Sequence, residues 1–188
     1  MSTVVGVYKD MAEAQKVVGA LKEAHYSSEQ ISVVAANPED RFGEYTNGTK
    51  VHRDDDVSGG EGAIVGGVEG GLIGLTLGLG ALLIPGVGPI VAMGPLLSGL
   101  IGAGVGAVTG GITASLIDLG VPEDRATVYS EAMHQGYILV AVSGLNHNQI
   151  DNVEDIMNVF DVVDIDERSE YWTTHGWTGQ DPNEPHRL

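Results

Sequence analysis

The segment GAIVGGVEGGLIGLTLGLGALLIPGVGPIVAMGPLLSGLIGAGVGAVTGGITASLI, residues 62–117, decides how the rest of the chain is read. From Gly70 to Ile117 it carries no charged residue in 48 positions. Eighteen of the chain's 28 glycines lie between Glu61 and Gly120, so glycine here is a pattern rather than loop filler. Gly62, Gly66, Gly70, Gly74 and Gly78 recur every four residues, and Gly94, Ser98, Gly102, Gly106, Gly110 and Ala114 repeat that spacing. Residues four apart share a helix face, and small residues on one face let two helix backbones approach closely. Pro85, Gly86, Gly88 and Pro89 interrupt the run, as proline ends helices by removing donors. The pattern predicts an apolar helical hairpin with a turn at these four residues. Its arms run over residues 62–84 and 96–117, each roughly 33 Å long at the helical rise and close to a bilayer core.

Outward from the hairpin, each flank reads as β-α-β. Residues 3–8 (TVVGVY) are β-branched and predict a strand. Asp10 followed by Glu13 predicts a capped helix start, with Met11, Ala14, Val17, Val18 and Leu21 on one face. Residues 31–35 (ISVVA) predict the next strand. On the other side, Pro122 and the acids after it open a helix that stops at Gly136. Residues 137–143 predict a strand, residues 148–160 a helix with Ile150, Val153, Ile156 and Met157 inward, and residues 161–166 (DVVDID) a last strand. The expected fold is α+β: a split β-α-β, ferredoxin-like sandwich with helices on one face, interrupted by the glycine-rich hairpin. The expected divisions are 1–38 (first half), 39–60 (acidic flexible linker), 61–120 (hairpin), 121–168 (helix and second half) and 169–188 (polar tail). In the tail, Trp172 and Trp177 either cover part of the core or anchor a protein partner.

The net charge of −17, from 26 acidic and 9 basic residues, disfavours nucleic acid, whose phosphates it repels. With no cysteine, disulfides and thiolate metal sites are excluded. No signal peptide is legible at the N-terminus, so a cytoplasmic location is expected, with attachment to the inner face of the cell membrane if the hairpin enters lipid. His25, His52, His134, His147, His175 and His186 are scattered, with no pair at ligand spacing. The run Asp54, Asp55, Asp56 lacks a calcium-loop pattern. The glycines at 102–106 lack the strand and helix context of a phosphate loop. No catalytic, cofactor-binding or metal-ligating residue emerges, and no cofactor is expected.

Three stretches carry a family resemblance: VVGVYKDMAEAQKVVGALKEAHYSSEQISVVA at 4–35, LIPGVGPI at 83–90 and LIDLGVPEDRATVYSEAMHQGYILVAV at 116–142. Together, over about residues 3–166, they resemble the bacterial general stress and low-temperature-induced proteins, also described as heat-induced stress protein domains. The resemblance implies a non-enzymatic stress-response protein and carries no catalytic residue with it. Two readings of the hairpin then compete, with membrane association through this glycine zipper the leading expectation and soluble self-assembly the alternative. In one it enters the lipid bilayer and returns; in the other it packs against copies of itself in a soluble homo-oligomer or filament. Length and hydrophobicity favour lipid. Glu69 within the first arm and flanks that are acidic instead of Lys/Arg-rich favour self-assembly. A small-ligand sensor is a third reading, by fold analogy alone.

Overall fold

The computed structural model describes residues 2–36, 80–84, 88–96 and 111–179. In chain order these form β1 (Ser2–Tyr8), α1 (Met11–Glu23), β2 (Ile31–Ala36), β3 (Gly80–Ile84), β4 (Gly88–Met93), α2 (Gly111–Asp118), α3 (Glu123–His134), β5 (Ile138–Leu145), α4 (His147–Asn158) and α5 (Ile165–Thr174). The strands make one sheet in the order β1-β5-β2-β4-β3, with every neighbouring pair antiparallel. β1 and β2 therefore run parallel to each other on either side of β5. The fold is α+β, as expected.

Local signals account for the helices. The Asp10 side chain accepts from the Glu13 backbone N–H at 2.9 Å, satisfying a donor that the first turn of α1 leaves open. Met11, Ala14, Val17, Val18 and Leu21 are the buried face of α1, as the spacing predicts. Asn146 and Gln149 form a reciprocal capping box at the start of α4, with bonds of 3.1 and 3.0 Å. α3 ends where Gly136 takes φ +88, and Tyr137 N–H then donates to Ala132 O at 3.0 Å. That is the left-handed helix stop glycine favours.

Alternation along the strands sends side chains into two separate cores. Ile31, Val33, Ile138, Val140 and Val142 pack with α1 and α4 on one face. Val34, Leu139, Ala141 and Ala92 pack with α2, α3 and α5 on the other. The sheet is therefore covered on both faces, where helices on one face were expected. The insertion supplies the second cover: Ile112 and Leu116 of α2 are buried at 1% and 0% exposure.

The helical hairpin is corrected at its centre. β3 and β4 pair antiparallel, with Ile84 opposite Gly88 and Gly80 opposite Ala92, and β4 adds to β2. Residues 80–93 are thus a β-hairpin on the sheet, and Gly88 and Pro89 lie in strand β4. A short apolar run bounded by turn residues suits a buried strand as well as a helix, and pairing with β2 satisfies backbone groups that an unpaired edge would leave open. Gly94 is not a helix-packing residue either. It has φ +75, and a Cβ there would overlap the Ile31 carbonyl oxygen. This turn delivers Leu96, whose N–H donates to the buried Ser32 Oγ at 3.1 Å. Ala114 is exposed on α2, so it does not line a packed seam within the described residues. Gly62, Gly66, Gly70, Gly74, Gly78, Ser98, Gly102, Gly106 and Gly110, with Pro85 and Gly86, lie outside the described residues, as does the linker expected at 39–60.

The last strand is also corrected. Residues 161–164 make a single backbone bond to the sheet, Val163 N–H to Val7 O at 2.8 Å. Asp164 then caps α5, its Oδ1 accepting from the N–H groups of Asp166 and Glu167 at 3.0 and 3.1 Å. Acids in the first turn favour the helix electrostatically, and Ile165 and Trp172 anchor it on the second face. The stretch from 165 to 174 is therefore helix where strand end and polar tail were expected.

The Gly94 turn is directly testable. Gly144 has nearly the same φ, +74, but nothing within 4 Å of an added Cβ. Gly94→Ala should lower the unfolding free energy by more than about 1 kcal/mol and by clearly more than Gly144→Ala, as read from urea midpoints. Equal losses would show that only backbone strain, and not the approach of β2, demands glycine at 94. Ser32→Ala should cost about 1–3 kcal/mol through the stranded Leu96 N–H.

Candidate interaction site

Of the two outer strands, β1 has its free edge beside described structure. Val7 turns its carbonyl outward to Val163, so by the two-residue period of a strand Val5 also directs its N–H and C=O away from β5. Among the described residues, Val163 is the one whose backbone bonds to the backbone of this edge, while Leu119 O accepts from the Thr3 side chain at its end. Where the chain leaves for α5, a cleft of about 310 Å³ remains along residues 3–6. Its walls are Arg125 and Tyr129 of α3 on one side and Ile150, Glu154, Met157 and Asn158 of α4 on the other.

Each wall is held by the fold. Arg125 Nη1 donates to Asp166 Oδ1 at the start of α5, and its guanidinium lies 5.9 Å from the Tyr129 ring centroid. The hydrogen bond to Asp166 raises the Arg125 pKa and keeps the cation committed to that carboxylate. Tyr129 is 7% exposed; burial raises its pKa, with Arg125 opposing. On the other side, Gly6 leaves room for the Tyr8 ring, since a Cβ would sit 2.8 Å from Tyr8 Oη. Tyr8 Oη in turn points at Met157 O, at 3.4 Å.

The tail tryptophans serve the second core. Trp172 is 7% exposed and meets Trp177 edge-on at 6.3 Å and Tyr137 at 6.1 Å. Trp177 packs against the same cluster, its buried Nε1 without a hydrogen-bond partner among the described residues. His134 Nδ1 lies 2.8 Å from Ser130 O within α3. Among the described residues no group of three or more His, Cys, Asp or Glu is placed to hold a metal ion. None of the residues singled out from sequence for helix packing lines the cleft. The sequence offers no direct signal for it, because it forms only where β1 becomes an edge and α3 and α4 converge on it.

The N-terminal part of the chain resembles a known family. Residues 3–77 match the heat induced stress protein YflT domain. Over that stretch the chain is similar to a general stress protein family. The match takes in β1, α1 and β2, and the further resemblance read along residues 83–142 lies beyond it. No curated protein and no solved structure matches the chain.

Burial beside the cleft has a consequence at alkaline pH. Desolvation drives the Tyr8 pKa far above its ordinary value of 10.0. The folded protein therefore keeps a proton that the unfolded chain releases from about pH 10 upward. The contribution is fully present below that pH and is lost as pH rises towards the folded value. The urea midpoint should fall between pH 9 and pH 11, and Tyr8→Phe should flatten that fall. Parallel pH profiles for the two proteins would show that Tyr8 is not the titrating group.

Proposed function

We infer that this is a non-enzymatic stress-response protein that works by self-association, its apolar glycine-spaced segments packing against those of further copies. The observation that carries this reading is the recruitment of β3, β4 and α2 into the folded domain. What remains of the apolar insertion is residues 62–79 and 97–110. As helices these would span about 27 Å and about 21 Å, against a bilayer core of about 30 Å. The second falls well short, and the first contains Glu69, an acid that is costly in lipid. No described helix is long and apolar enough to cross a membrane. Both segments keep their four-residue glycine spacing, which suits close backbone packing in a soluble assembly as it does in lipid. The second reading, attachment to the cytoplasmic face of the membrane, rests on the hydrophobicity of the same segments. The β1-β5-β2 core, with α1 and α4 on one face, fits a ferredoxin-like sandwich whose final strand is reduced to residues 161–164.

Detergent-free sedimentation with added vesicles separates the readings. A discrete particle, larger than one chain and left in the high-speed supernatant, is the expected result. Co-flotation of most of the protein with vesicles would overturn it in favour of lipid. The paired change Gly70→Leu and Gly106→Leu should break the particle into smaller species by light scattering, since leucine blocks close approach while raising hydrophobicity. An unchanged particle size would remove the glycine spacing from the explanation.

A further inference from the structure

We propose that the free edge of β1 is a docking slot for an extended, basic segment of a partner protein, which adds to the sheet as a strand. This is independent of the self-association inferred above, which uses other residues. Three observations converge on it. First, the slot already has one strand bond: Val163 N–H donates to Val7 O, and the chain then departs because Asp164 starts a helix. A continuing strand would have run on past Val5, whose outward N–H and C=O meet no backbone partner among the described residues. Second, the slot has walls. Tyr129 and Ile150, on opposite sides, give apolar contact to alternate side chains of an incoming strand, the arrangement by which strand addition combines backbone affinity with side-chain selection. Third, once Arg125 is paired, the charge left at the slot is negative. Its one lining cation, Arg125, is engaged by Asp166. Glu154 lines the opposite wall and has no ion pair among the described residues, and Asp151 and Asp155 are exposed beside it on α4.

Charge decides the occupant. Pairing two β1 edges about a twofold axis would bring α4 towards its own copy, setting Asp151, Glu154 and Asp155 against the same carboxylates in a chain of net charge −17. Like charges brought together in this way suppress association, and opposite ones promote it. A lysine- or arginine-bearing strand with small β-branched residues at alternate positions is complementary in both hydrogen bonding and charge.

The test uses the full-length protein and a blocked heptapeptide of alternating lysine and valine, with a glutamate-for-lysine peptide as control. By fluorescence anisotropy at low salt the basic peptide should bind saturably and the acidic peptide should not. Glu154→Lys, at an exposed position that leaves the fold intact, should weaken the basic peptide at least about fivefold. N-methylation of alternate peptide amides should abolish binding in one of the two possible phases and spare it in the other, since only one set of N–H groups faces β1. Hydrogen exchange at the Val5 amide should slow when the basic peptide is bound. The proposal is overturned if neither peptide binds, if both phases of N-methylation are equal, or if Glu154→Lys has no effect. Protection at Val5 that rises with protein concentration alone would assign the edge to a second copy and overturn it equally.

Discussion

β5 must be satisfied in every direction at once, and the remaining elements follow from that. Its backbone pairs with β1 on one side and β2 on the other. Its side chains alternate between two cores, Ile138, Val140 and Val142 into one and Leu139 and Ala141 into the other. All five are buried, and each larger one contributes about 1.5–3 kcal/mol if fully removed from water. A strand buried on both faces needs a helical layer on each. α1 and α4 supply one. The other has to be assembled from what lies between and after the two halves of the sheet, and this is why α2, α3 and α5 are where they are.

Much of this was legible in the residues. β1, α1, β2, α3, β5 and α4 stand where their periodicities and caps put them, within one or two residues at the ends. The buried face of α1 matches its reading residue for residue. The stretch from 80 to 93 was not legible for a definite reason. The sequence GALLIPGVGPIVAM is two short apolar runs around a turn, and it satisfies a helical break and a β-hairpin equally well. Glycine spacing on either side weighted the choice towards helix. Tertiary demand decided it, because β2 would otherwise have presented an open edge and a bare flank.

Residues 161–166 mislead for the opposite reason. Their alternation is real, and Val163 does reach the sheet. Yet Asp164, Asp166 and Glu167 form a helix start whose local hydrogen bonds compete with continued pairing, and the local signal wins. The cleft beside β1 is the outcome of that competition. Nothing in the composition of β1 announces it, since it depends on residues as far apart in the chain as Val5, Arg125 and Glu154 being brought together by the completed sheet.

The insertion between β2 and β5 has a kinetic side. Ile31 pairs with Val142, so these adjacent strands meet only after the whole intervening chain has been looped out. The entropy of closing such a loop grows only slowly with length, but contacts this distant in sequence slow the search for the native state. Throughout that search the longest uncharged stretch of the molecule is in water with no completed sheet beside it. A partly folded chain of this kind is prone to associate before it is finished. The strong negative charge of the flanking segments opposes that, repelling one nascent chain from the next until β5 has closed the sheet.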